Sequence, residues 1–388
     1  MDFELTPEQR ELKRAVRRLA EREFRPKAAR WDEEEAFPWE NIPALRDAGL
    51  LGLALPDAYG GAGGTVFDLA LVMEELARCC VATAFIVGQQ NGFGAKAIAL
   101  FGPEAQRERH LPAIVRGERL IAWAMSEPGA GSDLRNLACC ARRDGDAYVI
   151  DGRKTFCSLG AVSHLNVVIC RFDGTAGFPG LGALLVEADA PGFARGRDIP
   201  EMGLRGTAMA DLVFEGCRVP AGNLVIAPGE FRKILQIMDG ERTAGNPPMS
   251  LGIAQGALEE ALRFAEQRQA FGQRVADFQG IRWMLADMAV KVEAARLLVY
   301  RAAWRAARGA PDPFEASVAK AYTNEMAVSV CNDALQIHGG YGYTREFPVE
   351  RMLRDARGLC IGDGTTQIQK NIIAKHLLPR LPGGERAG

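Results

Sequence analysis

Residues 336–355 read QIHGGYGYTREFPVERMLRD, and the rest of the chain is best read outward from this block. A long helix is expected from about Phe314 to His338, and Gly339 and Gly340 end it. Upstream, Leu285, Met288, Val292, Ala295, Leu298 and Val299 mark a second long apolar stripe, which Pro311 and Pro313 separate from the first helix. Downstream, residues 359–373 read LCIGDGTTQIQKNII. Asp363 stands there between two glycines, ahead of Ile368, Ile372 and Ile373 on one helix face. Such an Asp suits a helix N-cap, or a catalytic base.

Further upstream the period changes. The runs AYVIDGRKTF, HLNVVICRF, GALLVEA and ADLVFEGCRVP are short, rich in β-branched residues and separated by Gly, Asp and Pro. Asp144-Gly145-Asp146 reads as a hairpin turn. The first third is again helical: Thr6-Pro7-Glu8-Gln9 opens one helix, Pro43 to Leu51 forms another, and Phe67 to Ala77 a third. The order helices, strands, helices is not the alternating pattern of a nicotinamide-binding sheet. It predicts an α+β protein with an N-terminal helical domain (1–120), a middle β domain (121–229) and a C-terminal helical domain (230–388).

Composition excludes several classes. The 388 residues are 48% hydrophobic and 25% charged, with a net charge of −2, so no global field recruits nucleic acid or an anionic membrane. No apolar run is long enough to span a bilayer, and the start, MDFELTPEQREL, is unlike a secretory signal. Nine cysteines without C-x-x-C spacing, and four histidines with no pair at i, i+3 or i+4, argue against a disulfide framework and against a metal site. A reduced cytoplasm is the expected setting.

Three segments carry candidate chemistry. Trp123-Ala124-Met125-Ser126-Glu127-Pro128-Gly129-Ala130-Gly131-Ser132-Asp133 runs from apolar residues into a turn of small residues, where a planar ring or a phosphate could approach the backbone. Lys154-Thr155-Phe156-Cys157-Ser158 offers an aromatic beside a hydroxyl. Arg268-Gln269-Ala270-Phe271-Gly272 offers a cation for a phosphate, or simply the basic end of a helix.

With EPGAGSD and the 336–355 block in this order, the chain resembles the acyl-CoA dehydrogenases over essentially its whole length. The resemblance implies a middle β-barrel, a C-terminal four-helix bundle, FAD and a homotetramer. It implies α,β-dehydrogenation of an acyl-CoA thioester within fatty acid β-oxidation, with electrons passing to electron-transferring flavoprotein. A carboxylate removes the α-proton while hydride leaves the β-carbon for flavin N5. By the same resemblance Trp123, Met125, Ser126, Gly131, Ser132, Phe156 and Ser158 line the flavin. Arg268, Phe271, Gln336 and Gly340 reach the FAD of a neighbouring subunit, while Thr365 and Gln367 hold the flavin's adenylate side near the helix after Asp363. Ser132, Arg242, Asn246 and Gly364 face the substrate.

Two departures stand out. Most members carry Glu where this chain has Asp363, and Asp is shorter by roughly 1.5 Å at fixed backbone. Isovaleryl- and long-chain-type members place the base just before the Arg that matches Arg242, and here that residue is Glu241. Asp363 is the expected base and Glu241 the alternative. Thr243 to Met249 also departs, because Pro247-Pro248 cannot continue a regular helix. In relatives this segment lines the acyl pocket, so a cyclic or branched acyl group is expected. The alternatives on the same fold are an oxidase, a flavin monooxygenase, a carrier-protein-linked dehydrogenase and a catalytically idle binding subunit.

Overall fold

The computed structural model describes residues 4–378. Seven helices lead: α1 (Pro7–Leu19), α2 (Ala28–Glu33), α3 (Ile42–Asp47), α4 (Val66–Ala77), α5 (Val81–Asn91), α6 (Phe93–Phe101) and α7 (Glu104–Val115). Thr6 caps α1 in a capping box with Gln9, and Pro7 fills the first turn. The helix expected from Pro43 to Leu51 is broken, because Gly49 adopts φ 70° and ends α3 before a short 3₁₀ turn at Leu50–Gly52.

Eight strands follow: β1 (Ile121–Ala124), β2 (Cys140–Asp144), β3 (Ala147–Cys157), β4 (Leu165–Phe172), β5 (Leu181–Glu187), β6 (Phe193–Asp198), β7 (Ala210–Pro220) and β8 (Leu224–Ile226). They form one sheet in the order β6-β7-β3-β2-β4-β5-β8, with β1 parallel to β4. Asp144 pairs with Ala147 across the two-residue Gly145-Asp146 hairpin. Strand alternation divides the core. Trp123, Val167 and Leu185 pack with Phe93, Ile98, Ile114 and Ile234 of the helices, whereas Ala124, Val168 and Leu184 pack with Ile150 and Phe214 on the other face.

The C-terminal helices are α8 (Phe231–Ala244), α9 (Asn246–Gln267), α10 (Gln279–Ala307), α11 (Pro313–His338), α12 (Val349–Leu359) and α13 (Thr366–Leu377), and a small hairpin of β9 (Gln269–Ala270) and β10 (Gln273–Arg274) joins α9 to α10. Long helices α9, α10 and α11 share one core with α4 and α5 of the first third, through Leu251, Val292, Val330, Leu71 and Ile86. Each such fully buried aliphatic side chain contributes roughly 1.5–3 kcal/mol.

The 336–355 block is where these parts meet. His338 stacks on Phe264 at 4.3 Å and meets Phe347 edge-on, which fixes the end of α11 against α9. Gly342 passes so close to the Leu335 carbonyl that any Cβ would collide. Arg354 binds both carboxylate oxygens of Asp32 (2.9 and 2.6 Å) and the Met202 carbonyl, while Asp355 accepts from Leu204 N–H at 2.6 Å. One turn of α12 thereby ties the first helices, the sheet region and the last helices together. Among the described residues no helix is long and apolar enough to cross a membrane.

Candidate active site

Glu241 and Asp363 come from different elements, and the charge of Asp363 reaches Glu241. Glu241 lies near the end of α8, where Gly245 (φ −94°, ψ −87°) breaks the helix and Pro247 enters the first turn of α9. The proline pair is therefore placed where its missing N–H costs nothing. The break opens a slot for the Glu241 carboxyl: a Cβ at Gly92 would collide with its Oε1, and one at Gly245 with its Oε2. Oε1 accepts from Phe93 N–H at 3.3 Å, one of the orphan donors at the start of α6. Burial pushes the Glu241 carboxyl up to about 8, and the Asp363 charge adds to the rise; Lys96 and the Phe93 N–H oppose it. At neutral pH Glu241 keeps its proton.

Asp363 is half-buried and sits at φ 58°, a left-handed conformation uncommon for a residue with a Cβ. The capping role goes to Thr365 instead, whose hydroxyl accepts from Ile368 N–H at 3.3 Å. Two side chains hold the Asp363 loop. Lys320, fully buried on α11, donates to the Gly362 carbonyl at 2.7 Å, and Gln369 donates to the Gly364 carbonyl at 2.9 Å. Burial brings Lys320 down to about 8 against the pull of the Asp363 charge. Arg242 is buried and pairs with Asp239 on its own helix, so Glu241 is not its partner; its Nε is left without an acceptor.

A second group surrounds Phe156. A bulge in β3 between Lys154 and Cys157 holds Phe156 at φ 55° with 61% of its surface exposed. Thr155 N–H bonds the Ser126 carbonyl at 2.8 Å, which brings β3 to the loop after β1. Lys154, fully buried, holds that loop with bonds to the Met125 carbonyl (2.9 Å) and the Glu127 carboxylate (2.7 Å). Trp123 stacks on Phe93 at 5.6 Å, and its indole N–H is buried without a partner. Gly129 and Gly131 have open space around them. An exposed ring, free donors and bare backbone fit a planar heterocycle with polar edges.

A third group lies at the far ends of α9 and α11. Arg268 caps α9 and lies over the Tyr341 ring at 5.4 Å, beside the exposed Gln336 and Gly340. Phe271 and Gly272 form the turn of the β9–β10 hairpin at φ 52° and 79°. Such a turn favours Asn-Gly, yet Phe271 stands there 97% exposed. Within one chain the Arg268 group is separate from the Asp363 group. Asn246, expected at the substrate, is fully buried and donates to the Leu359 carbonyl at 3.1 Å, bracing the segment before Asp363. Ser132 and Gln367 are exposed.

Three family profiles match in chain order: acyl-CoA dehydrogenase, N-terminal domain over residues 6–118, middle domain over 122–217 and C-terminal domain over 231–378. The chain belongs to the acyl-CoA dehydrogenase family. It is 38% identical to a short-chain-specific acyl-CoA dehydrogenase of Clostridium acetobutylicum, across 96% of this chain and 99% of that one. It is 40% identical to a 3-sulfinopropanoyl-CoA desulfinase of Paraburkholderia xenovorans, across 97% of each. Butyryl-CoA dehydrogenase from Megasphaera elsdenii has the same fold, with a TM-score of 0.94, 34% identity, and 98% and 100% of the two chains covered. The family is flavin-dependent, generally through FAD, and these matches support dehydrogenation of the acyl-CoA type.

Several residues that brace these groups in this member of the acyl-CoA dehydrogenase family escape sequence reasoning. Lys320 leaves one signal, a lysine on the same face of α11 as the buried Ala316, Asn324 and Ala327. Lys154 leaves another, the cation directly before an aromatic-hydroxyl pair. Gly92 and Lys96 leave none, because their importance depends on Glu241, about 150 positions away.

Proposed function

We propose that this chain is an FAD-dependent acyl-CoA dehydrogenase in which Asp363 takes the α-proton of the thioester. One observation carries the assignment: of the two carboxyl groups at the site, Glu241 is shut in its slot with its proton held up to about pH 8, while Asp363 is half-buried on a tethered loop. A base must be both reachable and able to accept a proton. Glu241 then acts as a neutral acid beside the base. Bound FAD would supply the two-electron acceptor for the β-hydrogen. Trp123, Met125, Ser126 and Gly131 would hold its ring system, Phe156 would cover one face, and Ser158 would meet its edge. Ser132 and Gly364 would border the thioester.

The shorter Asp363 side chain supports a compact acyl group, cyclic or branched, whose α- and β-hydrogens are fixed by its own shape. Bleaching of the flavin band without oxygen tests this with butyryl-, octanoyl-, isobutyryl- and cyclohexanecarboxyl-CoA. The expected order puts cyclohexanecarboxyl- or isobutyryl-CoA first; a clear preference for octanoyl-CoA would overturn it.

Electrons would pass on to electron-transferring flavoprotein, so turnover should be fast with that protein or ferricenium and slow with oxygen. A homotetramer is supported by Trp283, Val290, Leu297 and Trp304, exposed at seven-residue intervals along α10. In such an assembly Arg268, Phe271, Gln336 and Gly340 would meet the cofactor of the adjoining subunit, while Thr365 and Gln367 would hold the adenylate side of the flavin beside the helix that follows Asp363. The nine cysteines are free, which suits a reducing cytoplasm.

A further inference from the structure

The backbone carbonyls of Leu359, Cys360, Gly362 and Gly364 all accept hydrogen bonds from beyond α12, and together these bonds fix the segment that carries Asp363. Leu359 is the last residue of α12, so its carbonyl has no donor within the helix. Two fully buried side-chain amides take that place. Asn324 of α11 donates at 2.6 Å, and Asn246, the first residue of α9, donates at 3.1 Å. Ser250 fixes Asn324 in turn, donating to its Oδ1 at 2.9 Å. The Cys360 carbonyl takes Thr366 N–H at 3.1 Å, while Lys320 and Gln369 hold the Gly362 and Gly364 carbonyls. The turn so held puts Asp363 at φ 58°, a conformation that a residue with a Cβ keeps only where its surroundings over-determine it.

Asn246 differs from the other holders. It stands in the Thr243–Met249 segment, where the chain departs from the family pattern, directly after Gly245. A Cβ at Gly245 would collide with Glu241 Oε2. The break between α8 and α9 therefore shapes the slot of one carboxyl group and grips the segment that carries the other. Asn246 does so at the expense of stability. Its Oδ1 is buried without a partner among the described residues, and a buried acceptor left unpaired is destabilising. Asn324 alone would still satisfy the Leu359 carbonyl. An apolar residue of similar size would suit the fold as well or better, so stability does not account for an asparagine at this position.

We propose that Asn246 is a positioning residue for the reaction: through the Leu359 carbonyl it sets where the Asp363 carboxylate stands relative to the Glu241 slot. The proposal rests on the reading of Asp363 as the base.

The test compares the wild type with Asn246→Leu, Asp363→Asn and the double variant, all loaded with FAD. Stopped-flow absorbance gives the limiting rate of anaerobic flavin reduction and the half-saturating concentration, with the acyl-CoA that bleaches the wild-type flavin fastest. Thermal melts give stability. Asn246→Leu should reduce its flavin about tenfold more slowly, as a partly freed loop displaces the base. Its half-saturating concentration should stay near the wild-type value and its melting temperature should be no lower. In the Asp363→Asn background the same replacement should slow reduction no further, because the group it positions is gone. A slowed rate that comes with a lower melting temperature overturns the proposal, as does an equal loss in both backgrounds. If Asn246→Leu does not fold, Asn246→Ala decides by its rate and by the comparison of backgrounds. Near-normal reduction in Asn246→Leu with slow reduction in Asp363→Asn overturns the proposal and leaves the base standing. The reverse result overturns Asp363 as the base, and the proposal with it.

Discussion

Lys320 Nζ donates to the Gly362 carbonyl at 2.7 Å, so a fully buried cation on α11 holds the residue directly before Asp363. Its removal frees the loop that carries Asp363, the proposed base, and a displacement of about 1 Å in a reacting group costs on the order of 10²-fold in rate. Lys320→Met should therefore slow anaerobic flavin reduction by about that factor while FAD content stays near that of the wild type. Flavin content and stopped-flow absorbance check both halves.

Glu241 gives a pH signature. Its carboxyl titrates near 4.5 in the unfolded chain and at about 8 in the folded one. Between these values the native protein holds a proton that the unfolded chain has released. Its contribution to stability is thus fully present below about pH 4.5, declines as pH rises, and is gone above about 8. Wild-type protein should lose melting temperature relative to Glu241→Gln from pH 5 to 8, then run parallel to it. Thermal melts of both proteins across that range are the check, since other titrating groups such as Lys320 are common to both.

Lys154 and Glu127 form a buried pair that also fixes the loop around Met125 and Ser126. Glu127 accepts from the Ala138 and Cys139 N–H groups at 2.7 and 2.9 Å. Lys154→Met leaves that carboxylate buried beside an apolar side chain and should cost about 3–5 kcal/mol. Urea unfolding measures the loss, and FAD retention after gel filtration should fall with it.

The stripe on α10 predicts the assembly. Val290→Glu together with Leu297→Glu should convert a tetramer to smaller species in sedimentation velocity, because charges would enter an apolar contact. A wild-type protein that already sediments as a monomer would remove the basis for a shared flavin site.

The sequence made some of this legible and hid the rest for physical reasons. Local chemistry was readable: the Thr6 cap with Pro7 in the first turn of α1, the Gly145-Asp146 hairpin and the proline break before α11 follow from neighbours within four residues. Glu241 and Asp363 could both be singled out, and the resemblance put Asp363 first, but the sequence held no physical reason for that order. What separates them is burial and a slot made by Gly92 and Gly245, which exists only after folding. The N-cap reading of Asp363 failed because Thr365 competes for the same helix end. The prolines after Arg242 signalled a break, yet its outcome depended on Gly245 supplying the turn. Phe271 in a left-handed turn could not be foreseen, since propensity argues against it.

The most direct test of the account is anaerobic flavin reduction by the best acyl-CoA of the panel, measured side by side in Asp363→Asn and Glu241→Gln. The account predicts that Asp363→Asn slows reduction by roughly 10²–10⁴-fold, the usual worth of a general base, and that Glu241→Gln stays close to wild type at pH 7. Near-normal reduction in Asp363→Asn, with the loss found in Glu241→Gln instead, would contradict it.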